Sequence, residues 1–145
     1  MNDAPVARVR KVMLAPPDVV FDQWLDPESL KEWMCPRPSR VVAITLEPHV
    51  GGLLCFDIDD SGTAVRMNGH FLAIERPHRL SFTWSESRWR DPATRSVVTV
   101  TFEEHGDDQT LMTIEHSLLP PEHFDEFRNG WAGVLDQLAA VLPTA

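Results

Sequence analysis

PPEHFDEFRNGWAGVLDQLAAVL, residues Pro120–Leu142, carries its large apolar side chains at Phe124, Phe127, Trp131, Val134, Leu135, Leu138 and Leu142. Steps of three and four put these on one face of an α-helix, and a face that apolar needs a partner. Pro120 and Pro121 suit a helix start, because the first turn has no intrahelical use for an N–H. Glu122 and Asp125 sit where the positive end of the helix dipole favours them, and Glu126, Asn129 and Gln137 fall on the opposite, polar face. Two glycines interrupt the helix, each at a cost of about 1 kcal/mol relative to Ala. Gly133 lies among the polar positions, whereas Gly130 lies on the edge of the apolar stripe. Either Gly130 allows close packing of helix on sheet, or its missing side chain leaves room for a guest.

Upstream, the pattern is mostly that of strands. Ala4–Met13 mixes Val with Arg and Lys and suits an opening edge strand. From Pro17 the period changes, and Val20, Phe21, Trp24 and Leu25 form a short helical stripe. Asp26-Pro27 supplies an N-cap and a proline at N1 for a second short helix with Leu30, Trp33 and Met34 on its apolar side, closed by Pro36 and Pro38. Strands follow at Val41–Leu46, around Leu54, Phe56 and Ile58, and from Ala64 to Ile74. Leu80, Phe82 and Trp84, then Val98, Val100 and Phe102, then Met112, Ile114 and His116 alternate with polar residues in three further strands. Turns fall at Val50-Gly51-Gly52, Asp60-Ser61-Gly62 and His105-Gly106-Asp107-Asp108. The expected fold is α+β, about seven strands in the order β-α-α-β6-α. Its antiparallel meander has one dry face, covered by the final helix.

A chain of 145 residues suits one domain, residues 1–145. Thirteen Lys and Arg against 22 Asp and Glu leave a net charge of −9, which disfavours a nucleic-acid backbone or an anionic membrane as partner. There is no apolar run long enough to span a bilayer, and the start MNDAPVARVR lacks the apolar core of a signal peptide, so a cytoplasmic location is expected. Cys35 and Cys55 are the only cysteines and form no C-x-x-C, so both are expected reduced. The six histidines show no metal-ligand spacing, and no metal or cofactor is expected. Neither a glycine-framed serine nor a phosphate-binding glycine loop occurs, and no catalytic set can be named.

The order of these signposts resembles the Hsp90-ATPase-activator-homologue branch of the START/Bet v 1-like superfamily, SRPBCC. The matching pieces are Ala15-Pro16, Val20-Phe21-x-x-Trp24-x-Asp26-Pro27, Trp33 with Pro36, Gly51-Gly52, Gly69 with Ile74, Phe82-Thr83-Trp84, Val98–Phe102, Thr110–His116, and Gly130-Trp131 with Leu135–Leu138. Met34-Cys35 stands where the family often has Trp-Gly, which puts a flexible thioether at the expected pocket rim. The resemblance implies a helix-grip fold, in which a curved antiparallel sheet wraps a long C-terminal helix, with an apolar cavity between them.

The function expected on this basis is binding of a small hydrophobic or amphipathic molecule, without a cofactor. The alternatives are a module that stimulates an Hsp90-type chaperone ATPase, which would make a chaperone the partner, and an enzyme of the polyketide-cyclase or dehydratase kind. Whether the protein is a monomer or a homodimer is open. Parity and periodicity bring Trp33, Phe56, Phe82, Trp84, Phe102, Phe127 and Trp131, with Met67 and Met112, to the interior. Such a set is either a filled core or a pocket wall. Gly69 and Gly130 are expected opposite one another, with His70, His116 or Arg66 as polar contacts. His116 shares a face with Met112 and Ile114, as a core histidine or a ligand contact. The expected ligand-binding set is therefore Trp33, Met34, Phe56, Met67, Gly69, Phe82, Trp84, Val100, Met112, Ile114, His116, Phe127, Gly130 and Trp131.

Overall fold

In a computed structural model that describes residues 5–142, the alternating segments form seven antiparallel strands. These are β1 (Ala7–Met13), β2 (Arg40–Leu46), β3 (Leu53–Asp60), β4 (Thr63–Glu75), β5 (Arg79–Glu86), β6 (Ser96–Glu104) and β7 (Thr110–Ser117). They make one sheet in the order β1-β7-β6-β5-β4-β3-β2. β1 is an edge strand as expected; its expected first residue, Ala4, lies outside the described residues. Helices α1 (Pro17–Gln23) and α2 (Pro27–Trp33) carry the chain from one edge of the sheet to the other. α2 begins as its sequence indicates: Asp26 Oδ1 accepts from the Glu28 amide at 3.1 Å, and Pro27 follows the cap.

The last helix, α3 (Phe124–Val141), lies over the dry face. The two prolines start a 3-10 turn, Pro121–His123, and the α-helix begins only at Phe124. Phe127, Trp131, Val134, Leu135 and Leu138 are buried, as the periodic stripe requires. Beneath them lie Leu80, Phe82 and Trp84 of β5, Val98, Val100 and Phe102 of β6, and Met112, Ile114 and His116 of β7, all buried. The nine aromatic and methionine side chains expected inside are all buried as well. Trp84 is a hub of this layer, with its ring centroid 5.5 Å from that of Trp131 and 6.0 Å from that of Phe127. Among the described residues, no helix is long and apolar enough to cross a membrane.

Candidate ligand-binding site

One local accident of packing shapes the space under α3. After Trp33 the chain leaves α2 through Met34, Cys35 and Pro36, and Cys35 adopts φ 75°, a left-handed conformation uncommon outside glycine. Gln137 pins this connection. Its Nε2 donates to the carbonyls of Trp33 and Cys35, both at 2.8 Å, and its Oε1 accepts from the Arg37 amide at 3.0 Å. The helical period puts Gln137 on the polar face, and that face turns out to meet the connection rather than water. Gly130 and Gly133 face the same segment. A Cβ added at either would lie 3.6 Å from Pro36, ordinary van der Waals contact.

Between this connection, α3 and the sheet lies a cavity of about 140 Å³. α3 contributes Phe127, Gly130, Trp131 and Val134, and the connection contributes Met34, Cys35 and Pro36. The sheet side is Ile58, Val65 and Trp84. The rim is polar, with Ser39, Asp60, Glu86, Arg88 and Glu126. Arg88 sits at its centre: Nε donates to Glu86 at 2.7 Å, Nη1 to Asp60 at 2.9 Å and Nη2 to Glu126 at 2.9 Å. One guanidinium thus ties the ends of β3 and β5 to the first turns of α3. Burial works against its charge, but the carboxylates of Glu86, Glu126 and Asp60 outweigh that and raise its pKa. Glu86 is only 3% exposed, and its second oxygen accepts from Trp84 Nε1 at 2.8 Å. The Cys35 thiol is pushed up to about 12 by burial, with the Glu86 charge adding to it.

Of the fourteen expected residues, Met34, Trp84, Phe127, Gly130 and Trp131 border this cavity. Trp33, Phe56, Met67, Phe82, Val100, Met112 and Ile114 are buried in the core and are not among its lining residues. Gly69 does not lie opposite Gly130. It stands where β5 passes so close that a Cβ would run into the Thr83 carbonyl oxygen, and it does not line the cavity. Arg66 pairs with Asp57 on the exposed side of the sheet, and the His70 amide donates to Thr83 Oγ1.

His116 is fully buried and satisfied by the protein. Trp131 Nε1 donates to Nδ1 at 2.9 Å, so the ring proton sits on Nε2, which donates to Ser96 Oγ at 2.7 Å. Ser96 in turn donates to the Trp84 carbonyl at 2.6 Å. Burial lowers the pKa of His116 to about 3, and the ring is neutral. It fits the core-histidine reading, one layer behind Trp84, Phe127 and Trp131.

The rim was missed by sequence reasoning, although one signal for it exists. Leu80, Phe82 and Trp84 alternate inward, and the same parity carried two residues further puts the Glu86 carboxylate on the dry face. Arg88 follows the strand, where no period applies.

Residues 14–143 match the family model described as Activator of Hsp90 ATPase homolog 1-like protein. Comparison with curated proteins finds no match. Among solved structures, protein CV1439 from Chromobacterium violaceum is similar with 25% identity and a TM-score of 0.81, over 94% of this chain and 96% of that one. Protein NE0264 from Nitrosomonas europaea shares the fold at 19% identity and a TM-score of 0.83, over 98% and 96% of the two chains. The AHSA1 protein SPO3351 from Silicibacter pomeroyi does so at 22% identity and a TM-score of 0.82, over 94% and 96%. With a family match that runs almost end to end and a helix-grip arrangement of sheet and helix, this chain belongs to the Activator of Hsp90 ATPase homolog 1-like family.

Proposed function

We propose that the protein binds a small amphipathic molecule in the cavity under α3, with the apolar body among Trp84, Phe127, Trp131 and Met34 and the polar end toward Glu86 and Arg88. The observation that carries this reading is a space of about 140 Å³ with aromatic walls and polar groups gathered on one side. Binding sites commonly combine apolar walls with a few convergent polar groups. The volume limits the guest. An apolar cavity of about 150 Å³ holds a molecule the size of benzene, and drug-sized ligands take about 300 Å³ or more. A single ring or a short alkyl group fits this volume, whereas a long acyl chain or a sterol would have to extend beyond it.

The test is a titration with benzyl alcohol followed by amide chemical shifts. The reading expects saturable shifts clustered at Cys35, Glu86 and Gly130, with no comparable response to a long-chain alcohol. Linear, unsaturating shifts scattered over the surface would contradict it.

A further inference from the structure

The polar end of the guest can be given a charge, on the basis of the cavity reading above. Glu86 is a carboxylate set in the wall of an aromatic cavity and 3% exposed. Each of its oxygens accepts one hydrogen bond, from Arg88 and from Trp84, whereas an ionised carboxylate offers about four acceptor sites. Asp60 and Glu126 complete the rim, and Arg88 is the one cationic side chain among the described lining residues. Three negative charges face one positive. His123 Nδ1 contacts Glu126 at 2.8 Å, and even a protonated His123 leaves one charge uncompensated. Ser39 donates to Asp60 at 2.6 Å and adds no charge.

The walls point the same way. Trp84, Phe127 and Trp131 line the cavity, and aromatic rings attract cations through their quadrupoles. An anionic head group would meet the excess negative charge at the rim, where three of the five N–H groups of Arg88 are already given to carboxylates. We infer that the site selects a small organic cation, a protonated amine carried on a body of about one ring, with the ammonium beside Trp84 at acceptor positions that Glu86, Asp60 and Glu126 do not give to Arg88.

Benzylamine, benzyl alcohol and benzoate share a body and differ in charge, and calorimetric titration of each separates the two claims. Benzylamine is expected to bind at least about tenfold tighter than benzoate, with benzyl alcohol between them, and to lose part of its advantage at high salt. In Glu126→Gln, a change at a half-exposed position, the ratio of amine to alcohol affinity should fall several-fold. If benzyl alcohol binds and benzylamine binds no tighter, or benzoate binds best, the cavity stands and the cation inference is overturned. An amine preference untouched by Glu126→Gln also overturns the assignment of the rim as its source. If none of the three binds, the cavity reading fails and takes this inference with it.

Discussion

Trp131 Nε1 donates to His116 Nδ1 at 2.9 Å, a buried bond between the middle of α3 and the inner face of β7. The helix is therefore held by more than its apolar stripe. Because Nδ1 must accept, the imidazole must stay neutral, and the seating of α3 is tied to the protonation of one ring.

That link sets a dependence of stability on pH. The folded pKa of His116 is about 3 against an ordinary value of 6.5. As pH falls through 6.5 the unfolded chain takes up a proton that the folded chain refuses until about pH 3. The stabilising contribution is complete above 6.5 and declines below it, by about 1.4 kcal/mol per pH unit from this group. Urea unfolding of the parent and of His116→Gln between pH 7 and pH 5 isolates the slope. The parent should lose stability faster than the variant across that window, and equal slopes would contradict the assignment.

The two interior glycines should respond in opposite directions. Gly130→Ala places a methyl 3.6 Å from Pro36 and should gain a few tenths to about 1 kcal/mol from helix propensity. Gly69→Ala drives a Cβ into the Thr83 carbonyl, a backbone atom that cannot give way cheaply, and should cost about 3 kcal/mol or more. Thermal unfolding of both variants beside the parent is sufficient. A stabilised Gly69→Ala or a strongly destabilised Gly130→Ala would refute the packing described here.

The contrast between these glycines also marks how far the sequence could be read. Periodicity carried α3, from Phe127 to Leu138, and alternation carried β5 to β7, because both are local and repeat. Asp26-Pro27 announced α2 for the same reason. What could not be read was which residues meet across the fold. Gly69 and Gly130 look alike in the chain, yet one abuts β5 and the other Pro36, and no local pattern encodes that. Helical phase puts Gln137 on the face opposite the apolar stripe, and the connection after α2 covers that face at Gln137. Glu86 was within reach by parity, whereas Arg88, Asp60 and Glu126 come together from three separate elements.

Gln137 is the bracket for the connection that forms one wall of the cavity. Gln137→Ala removes three hydrogen bonds and leaves the Cys35 and Trp33 carbonyls without that donor, at a cost of about 1–3 kcal/mol. Amide hydrogen exchange should accelerate at Arg37 well before it does in the sheet. Unchanged exchange there would mean that the connection is held by packing alone.

Cys35 should be a poor nucleophile in spite of its place in the cavity wall, since burial and the Glu86 charge push its thiol up to about 12. Iodoacetamide at pH 8 should leave both cysteines of the folded protein unmodified and label both after unfolding. Rapid single labelling of the native protein, located at Cys35 by peptide mass, would contradict this environment.

The central claim is that the space under α3 is a binding site rather than a packing defect, and Gly130→Leu tests it most directly. The new side chain should fill the space at a cost of no more than about 1–3 kcal/mol, leaving a folded protein. Benzyl alcohol titrated into the parent and into Gly130→Leu, followed by amide shifts, should give saturable binding in the first and none in the second. Equal binding to both, or no saturable binding to the parent, would contradict the account.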